Sequence, residues 1–198
     1  TSGDAAQYSE LAALAVAPTG DVLLGGLRGI KDGTLTAFLV HVDPKGVAKP
    51  VAAPADGERI CGMATDPSGA VVFGLAPLPA AGDDARSLRL MRWTAEDGAK
   101  EAAAGSYREH PVGFGLLGAD AKNRWYVLAG TGSGQVASIV RFDPADGTRA
   151  LVAGPGAPRF AGASGDTSLL DVRGLSLLIG DAFVADGEQI KHLTGLAE

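Results

Sequence analysis

The chain has 198 residues, 46% of them apolar and 20% charged, the proportions of a folded domain with a sizeable core and not of a disordered tail. A formal net charge of −6 and scattered basic residues speak against nucleic acid as a partner, because phosphate binding needs a clustered basic face. No apolar run approaches the roughly 20 residues of a membrane span, so direct membrane insertion is not expected, and Cys61, the single cysteine, allows neither an intrachain disulfide nor a thiolate metal cluster.

Taken in order, the first predicted strands are Leu11–Ala17, Asp21–Gly26, Thr36–Val42 and Val47–Ala52. A second group follows at Ile60–Thr65, Ala70–Leu75, Ser87–Thr94 and Ala99–Ala103, and a third at Val112–Leu117, Arg124–Ala129, Val136–Phe142 and Thr148–Ala153. Strand length, β-branched content and the Gly, Pro and Asp residues between them carry this reading. Glu10–Ala17 is alanine-rich enough to compete as a helix, but its counterparts later in the chain are poor helix formers, so little or no helix is expected. Thr1–Glu10 is polar and reads as a loop, and the absence of an initiator Met or signal-peptide pattern at Thr1 reads as a processed or trimmed start. The last group, Val172–Leu178, Ala182–Ala185 and Gln189–Leu193, is one strand short.

These groups are copies of one unit. The turn residues Gly20, Gly69, Asn123 and Gly180 lie 49, 54 and 57 positions apart, and a second marker, the hairpins closing at Gly46, Gly98 and Gly147, recurs at 52 and 49. A four-stranded propeller blade repeats at about 40–50 residues. The expected fold is therefore an all-β propeller of about four blade repeats (about 1–54, 55–106, 107–162 and 163–198), the last incomplete. Small residues in the first strand of each unit (Ala12, Ala13, Ala15; Gly62, Ala64; Gly113, Gly115, Gly118) suit the crowded axis of such a ring. An incomplete last blade leaves a sheet edge open, so the chain is expected to be a piece of a larger propeller or to pair with a second copy.

Leu151-Val152-Ala153-Gly154, the loop Arg159–Asp166, Leu170–Leu175, Ala182–Asp186 and Gln189-Ile190 together resemble an NHL repeat. In that pattern "V-A-G…G-x-S-G-D" precedes "x-P-x-G-I/L-A", a glycine turn, "L-Y-V-A-D" and "R-I". Thr1-Ser2-Gly3-Asp4 looks like the same loop opening the first unit. Val172 stands where proline is usual and Gln189 where arginine is usual, and units two and three lose the Ala-Asp ending. The resemblance implies a β-propeller acting as a rigid binding platform.

Two enzyme classes with similar propellers prompt a search for metal ligands. Amidating lyases of peptidyl-hydroxyglycine use channel histidines for zinc or calcium; His41, His110 and His192 do not fall at equivalent positions in the units, which disfavours a shared ion. Gluconolactonase-like propellers use carboxylate and Asn oxygens; Asp66, Asp120, Asp171 and Asn123 sit near inner-strand ends, but Asp66-Pro67 and Asp120-Ala121 are also ordinary turn starters. Gly130-Thr131-Gly132-Ser133-Gly134-Gln135 lacks the Gly-Lys-Ser/Thr end of a phosphate loop and no helix follows it, so it reads as a hairpin. Ser164 and Ser168 have no His framework for hydrolysis. Arg86, Arg89 and Arg92 are expected to be solvated or to pair with Asp83 and Asp84.

The resulting expectation is a non-catalytic propeller scaffold with no assigned catalytic, cofactor or metal residues, holding a protein or carbohydrate partner through its longest loops, Arg28–Leu35 and Ala76–Arg86. Ala76–Ala80 adds a stiff, apolar proline element to the second of these. The alternative is a metal-dependent propeller lyase or lactonase with a divalent cation in the channel, and a third reading is self-assembly, with the open blade recruiting a second chain. Alanine-, glycine- and arginine-rich composition suggests a bacterial, extracytoplasmic domain.

Overall fold

A computed structural model describes residues 8–29, 35–52, 54–55, 57–78, 87–102, 107–108, 115–131, 135–153, 172–178, 181–186 and 189–193. These form four antiparallel sheets and no helix. Blade one is β1 (Tyr8–Val16), β2 (Val22–Gly29), β3 (Leu35–Val42) and β4 (Ala48–Pro50), and blade two is β5 (Glu58–Thr65), β6 (Val71–Pro77), β7 (Ser87–Thr94) and β8 (Gly98–Glu101), with β9 (Tyr107–Arg108) alongside. Blade three is β10 (Gly115–Ala119), β11 (Trp125–Thr131), β12 (Gln135–Phe142) and β13 (Arg149–Ala153), and blade four is β14 (Val172–Leu178), β15 (Asp181–Asp186) and β16 (Gln189–Leu193).

In every sheet the strands pair in chain order. The first strands lie side by side, β1 on β5, β5 on β10 and β10 on β14, so the blades radiate from a common inner seam as in a β-propeller. Among the described residues the fourth blade has three strands, as its sequence predicts.

The repeat markers are where the backbone turns left-handed. Gly20 (φ 87°), Gly69 (φ 87°) and Asn123 (φ 60°) close the first hairpin of blades one to three, and Gly46, Gly98 and Gly147 close the last, all with positive φ. L-residues with a Cβ avoid this region, which is why glycine, or asparagine as its nearest substitute, recurs there.

Among the described residues two seams form the core. On β6 the alternation of a strand sends Val71, Phe73 and Leu75 to one face and Val72 and Ala76 to the other, and all are buried. The first face, with Ile60, Met91 and Trp93, packs on Ala15, Leu23 and Leu39 of blade one. The second, with Cys61 and Leu90, packs on Leu116, Trp125, Val127, Val140 and Phe142 of blade three. Each large side chain buried in these seams contributes on the order of 1.5–3 kcal/mol.

The first strand of each blade also carries a bulge against the second: between Leu11 and Ala13, Ile60 and Met63, Leu116 and Gly118, and Val172 and Gly174. An extra residue bends and twists its strand, so the four inner strands share one distortion. In blade two it includes Gly62 (φ 82°), where a Cβ would run into the backbone carbonyl of Leu116.

Three expectations need correction. Tyr8–Glu10 is not loop but the start of β1, because β2 runs on to Gly29 and supplies partners in Leu27, Arg28 and Gly29. The outer strand of blade two is interrupted: β8 pairs Met91–Thr94 of β7, and β9 takes up Ser87 and Leu88 further along. The inner strand of blade three runs on past the expected end at Leu117 to Ala119, because Gly118 and Ala119 find partners in Tyr126 and Trp125; residues 112–114 lie outside the described residues. The loop Arg159–Asp166 and the loop tips at 30–34 and 79–86 lie outside the described residues, as do Thr1–Asp4, Asp83, Asp84, Arg86, His110, Ser164, Ser168 and Asp171.

Gly62→Ala is expected to destabilise the protein by more than about 3 kcal/mol, since strain and overlap with backbone coincide. Gly46→Ala, at φ +83° with open space around it, should cost about 1 kcal/mol, the ordinary penalty of the left-handed conformation. Urea denaturation of both variants checks the contrast.

Candidate functional site

The polar residues singled out from the sequence are brought together at one end of each blade, where the first hairpin turns. Asp66 is the first residue of its turn, and its Oδ1 accepts the Ser68 and Ala70 amides at 2.9 and 3.0 Å. Its Oδ2 receives Arg92 Nε from β7 at 3.2 Å, and Arg92 also donates to Ser68 Oγ at 2.7 Å. Asp120 repeats the arrangement, accepting the Lys122 and Arg124 amides at 2.9 Å each, with Arg124 Nε at 2.7 Å and the Tyr126 hydroxyl at 3.2 Å on Oδ2. In blade one Ala17 takes that turn position, and the carboxylate comes instead from Asp21 at the turn's far end. It accepts Thr19 Oγ1 at 2.6 Å and His41 Nε2 of β3 at 2.5 Å.

The chemistry of these groups is that of a staple. The Thr19 hydroxyl and then His41 hold the Asp21 carboxyl below its usual 3.8. Burial alone would raise Asp120, but the Arg124 side chain and the turn amides outweigh it and hold it below 3.8 as well. Burial, and after it the Asp120 charge, push the Tyr126 phenol up to about 12, so it stays a hydrogen-bond donor at neutral pH. Burial likewise raises the Cys61 thiol, which leaves a packed thiol and not a nucleophile.

The remaining candidates are dispersed. His41 lies near the end of β3, and His192 is on β16. Asn123 turns the chain and its Oδ1 accepts Trp125 Nε1 at 3.2 Å. No group of three or more His, Cys, Asp or Glu side chains among the described residues is placed to hold a metal ion. The segment from Gly130 to Gln135 links β11 to β12, with Thr131 opposite Gln135, and is a hairpin. Arg89 is paired with Glu58 at 2.7 Å and Glu101 at 3.3 Å, and Arg92 with Asp66 at 3.2 Å; the expected partners Asp83 and Asp84 lie outside the described residues.

A cleft of about 390 Å³ opens between the outer parts of blades one and two. Lys49, Pro50, Val51 and Ala52 line one wall, and Ala95, Asp97, Gly98 and Ala99 the other. His41 and Trp93 complete the lining, their ring centroids 4.8 Å apart and tilted at 52°. Trp93 is 4% exposed, so it forms the floor. The cleft thus has an aromatic base, a cation on one wall and a carboxylate on the other. Sequence reasoning missed it because its halves lie some 45 positions apart.

Four meander sheets stacked along their first strands define the chain as a β-propeller protein. No family model matches it, and no curated protein does. Among solved structures it is similar to a streptogramin B lyase, at TM-score 0.49 and 12% identity over 96% of this chain and 71% of that one. It is also similar to the β-propeller domain of the Trilobed protease from Pyrococcus furiosus (TM-score 0.48, 10% identity, 95% of this chain and 57% of that one). TolB from Acinetobacter baumannii follows (TM-score 0.46, 16% identity, 92% of this chain), and this chain spans 42% of its length. All three scores are below 0.5, and the likenesses concern the fold alone.

Asp120→Ala is expected to cost about 2–4 kcal/mol, because it strips acceptors from two amides and leaves a largely buried arginine without its carboxylate. Both lowered carboxyls contribute stability that is complete above their unfolded value of 3.8 and is lost as pH falls through their lower folded values. Thermal melts between about pH 5 and pH 2 should therefore show a steep loss of Tm for the parent and a shallower one for Asp120→Ala.

Proposed function

We propose that this chain is a non-catalytic scaffold of the NHL-like kind that holds a protein or carbohydrate partner, with the cleft between blades one and two as the contact. The observation that carries the reading is the cleft's lining. An aromatic floor offers apolar area at little entropic cost, while Lys49 on one wall and Asp97 on the other, its Oδ1 also holding Lys100 at 2.6 Å, fix orientation by charge and hydrogen bonding. The ionisable residues that a hydrolytic or lyase mechanism would draw on, Asp21, Asp66, Asp120, His41 and Arg92, are spent on one another and on turn amides. The loop tips expected to bind lie outside the described residues, and the cleft stands in their place as the site with defined walls.

Glycan and peptide arrays probed with the parent chain and with Lys49→Glu test this. Binding to members of one array, weakened at least about tenfold by the substitution, is the expected result. Binding to neither array, or equal binding by the variant, would overturn it. Stoichiometric calcium or zinc in the purified protein, lost in Asp120→Ala, would overturn it in favour of a metal-dependent lyase or lactonase.

A further inference from the structure

Three ionisable side chains line the cleft between blades one and two: His41, Lys49 and Asp97. The register of blade one sets His41 directly opposite Lys49, and side chains opposite one another in an antiparallel pair share a face. Both therefore stand on the wall that turns toward blade two. Across the cleft, Trp93 is opposite Ala99, and Asp97 lies in the turn that joins their strands.

Pairing these groups leaves one charge over. His41 Nε2 is held by the Asp21 carboxylate at 2.5 Å. Asp97 holds Lys100 Nζ at 2.6 Å, and Thr94 Oγ1 stands 3.4 Å from its other oxygen. Lys49 has no hydrogen bond or ion pair among the described residues. An ammonium beside apolar walls gains most from an anion, because the walls lower the local dielectric. The floor then decides what carries the anion. A sugar ring needs an open aromatic face and a partner for each hydroxyl it buries. Trp93 is 4% exposed, the His41 ring is tilted against it, and the lining offers only Lys49 and Asp97 for hydroxyls. An acidic side chain, an apolar stem with a charged tip, asks for no more than the cleft provides.

We infer that the cleft receives a glutamate or aspartate side chain of a protein partner, its carboxylate on Lys49 Nζ and its stem between Pro50 and Val51 on one wall and Ala95 and Ala99 on the other. Asp97 keeps lone pairs for a backbone N–H of the same partner. The inference rests on the cleft being the contact and adds the chemistry of what enters it.

A randomised synthetic peptide array probed with the parent chain supplies the probe, and fluorescence anisotropy with the tightest-binding peptide tests the inference. That peptide is expected to carry a Glu or Asp whose replacement by Gln or Asn weakens binding at least about tenfold, and its affinity should fall as salt rises. Lys49→Gln should bind the acidic and the amide peptides alike, which assigns the loss to this one pair. Lys49 is exposed, so the variant should keep the far-ultraviolet circular dichroism of the parent. Equal binding of the two peptides by the parent, or a preference for the acid that persists in Lys49→Gln, would overturn the inference; if Lys49→Glu still weakens that binding, the cleft remains the contact. An array on which no peptide binds overturns the inference as well, and the scaffold reading falls with it only if no glycan binds either.

Discussion

Strand β6 is the member on which the other sheets lean. A strand has two faces, and in most antiparallel sheets one of them meets water. Here both are apolar, so Val71, Phe73 and Leu75 serve one neighbour while Val72 and Ala76 serve the other. That double burial fixes the register of blade two absolutely, because a slip of one residue would exchange the two sets and leave Phe73 where Val72 fits. It also sets the spacing of the blades, and through the spacing the cleft. The cleft exists because the outer strands diverge from the seam that Phe73 and Trp93 hold closed further in.

Polar chemistry is confined to the ends of the blades for a related reason. The interior of each seam has no place for an unpaired charge, whereas each hairpin turn exposes amides that a carboxylate can collect. Once Asp66 or Asp120 has taken its two amides, its remaining oxygen is aimed at the end of a neighbouring strand, and a cation there completes the set. Blade one solves the same problem differently: with Ala17 at the turn's start, Asp21 at its end reaches across to His41. The staple is a property of position, met by whichever residues fall there.

The sequence and the structure agree most closely where backbone conformation forces a residue type. Gly20, Gly69 and Asn123 could be aligned from sequence because a left-handed residue tolerates few side chains, and the strands between them because alternation is legible in a short window. Bulges were not legible. An extra residue such as Ala12 or Leu117 carries no composition of its own, and only Gly62 hinted at one. The extent of β1 depended on how far β2 continued, a pairing fact with no local mark, and the split of the outer strand into β8 and β9 is of the same type. Arg89 and Arg92 showed the limit for charges: their cross-strand partners Glu58, Glu101 and Asp66 lie 12 to 31 positions away in sequence and carry no local mark. The cleft, made by two blades, had no sequence signature beyond the repeat itself.

The two tryptophans of the chain fall one to each of the two seams that flank blade two. Trp93 belongs to the seam between blades one and two, beside the imidazole of His41. Trp125 belongs to the seam between blades two and three, its ring centroid 6.0 Å from that of Phe142. Neighbouring blades meet only at such seams, and in a repeat architecture stability is largely a sum of neighbour terms. The molecule therefore carries a separate optical reporter for each of the two joints that blade two makes, one opening toward the cleft and the other enclosed in apolar packing. Whether these joints loosen together or in turn is readable by removing one indole at a time and following the emission of the other.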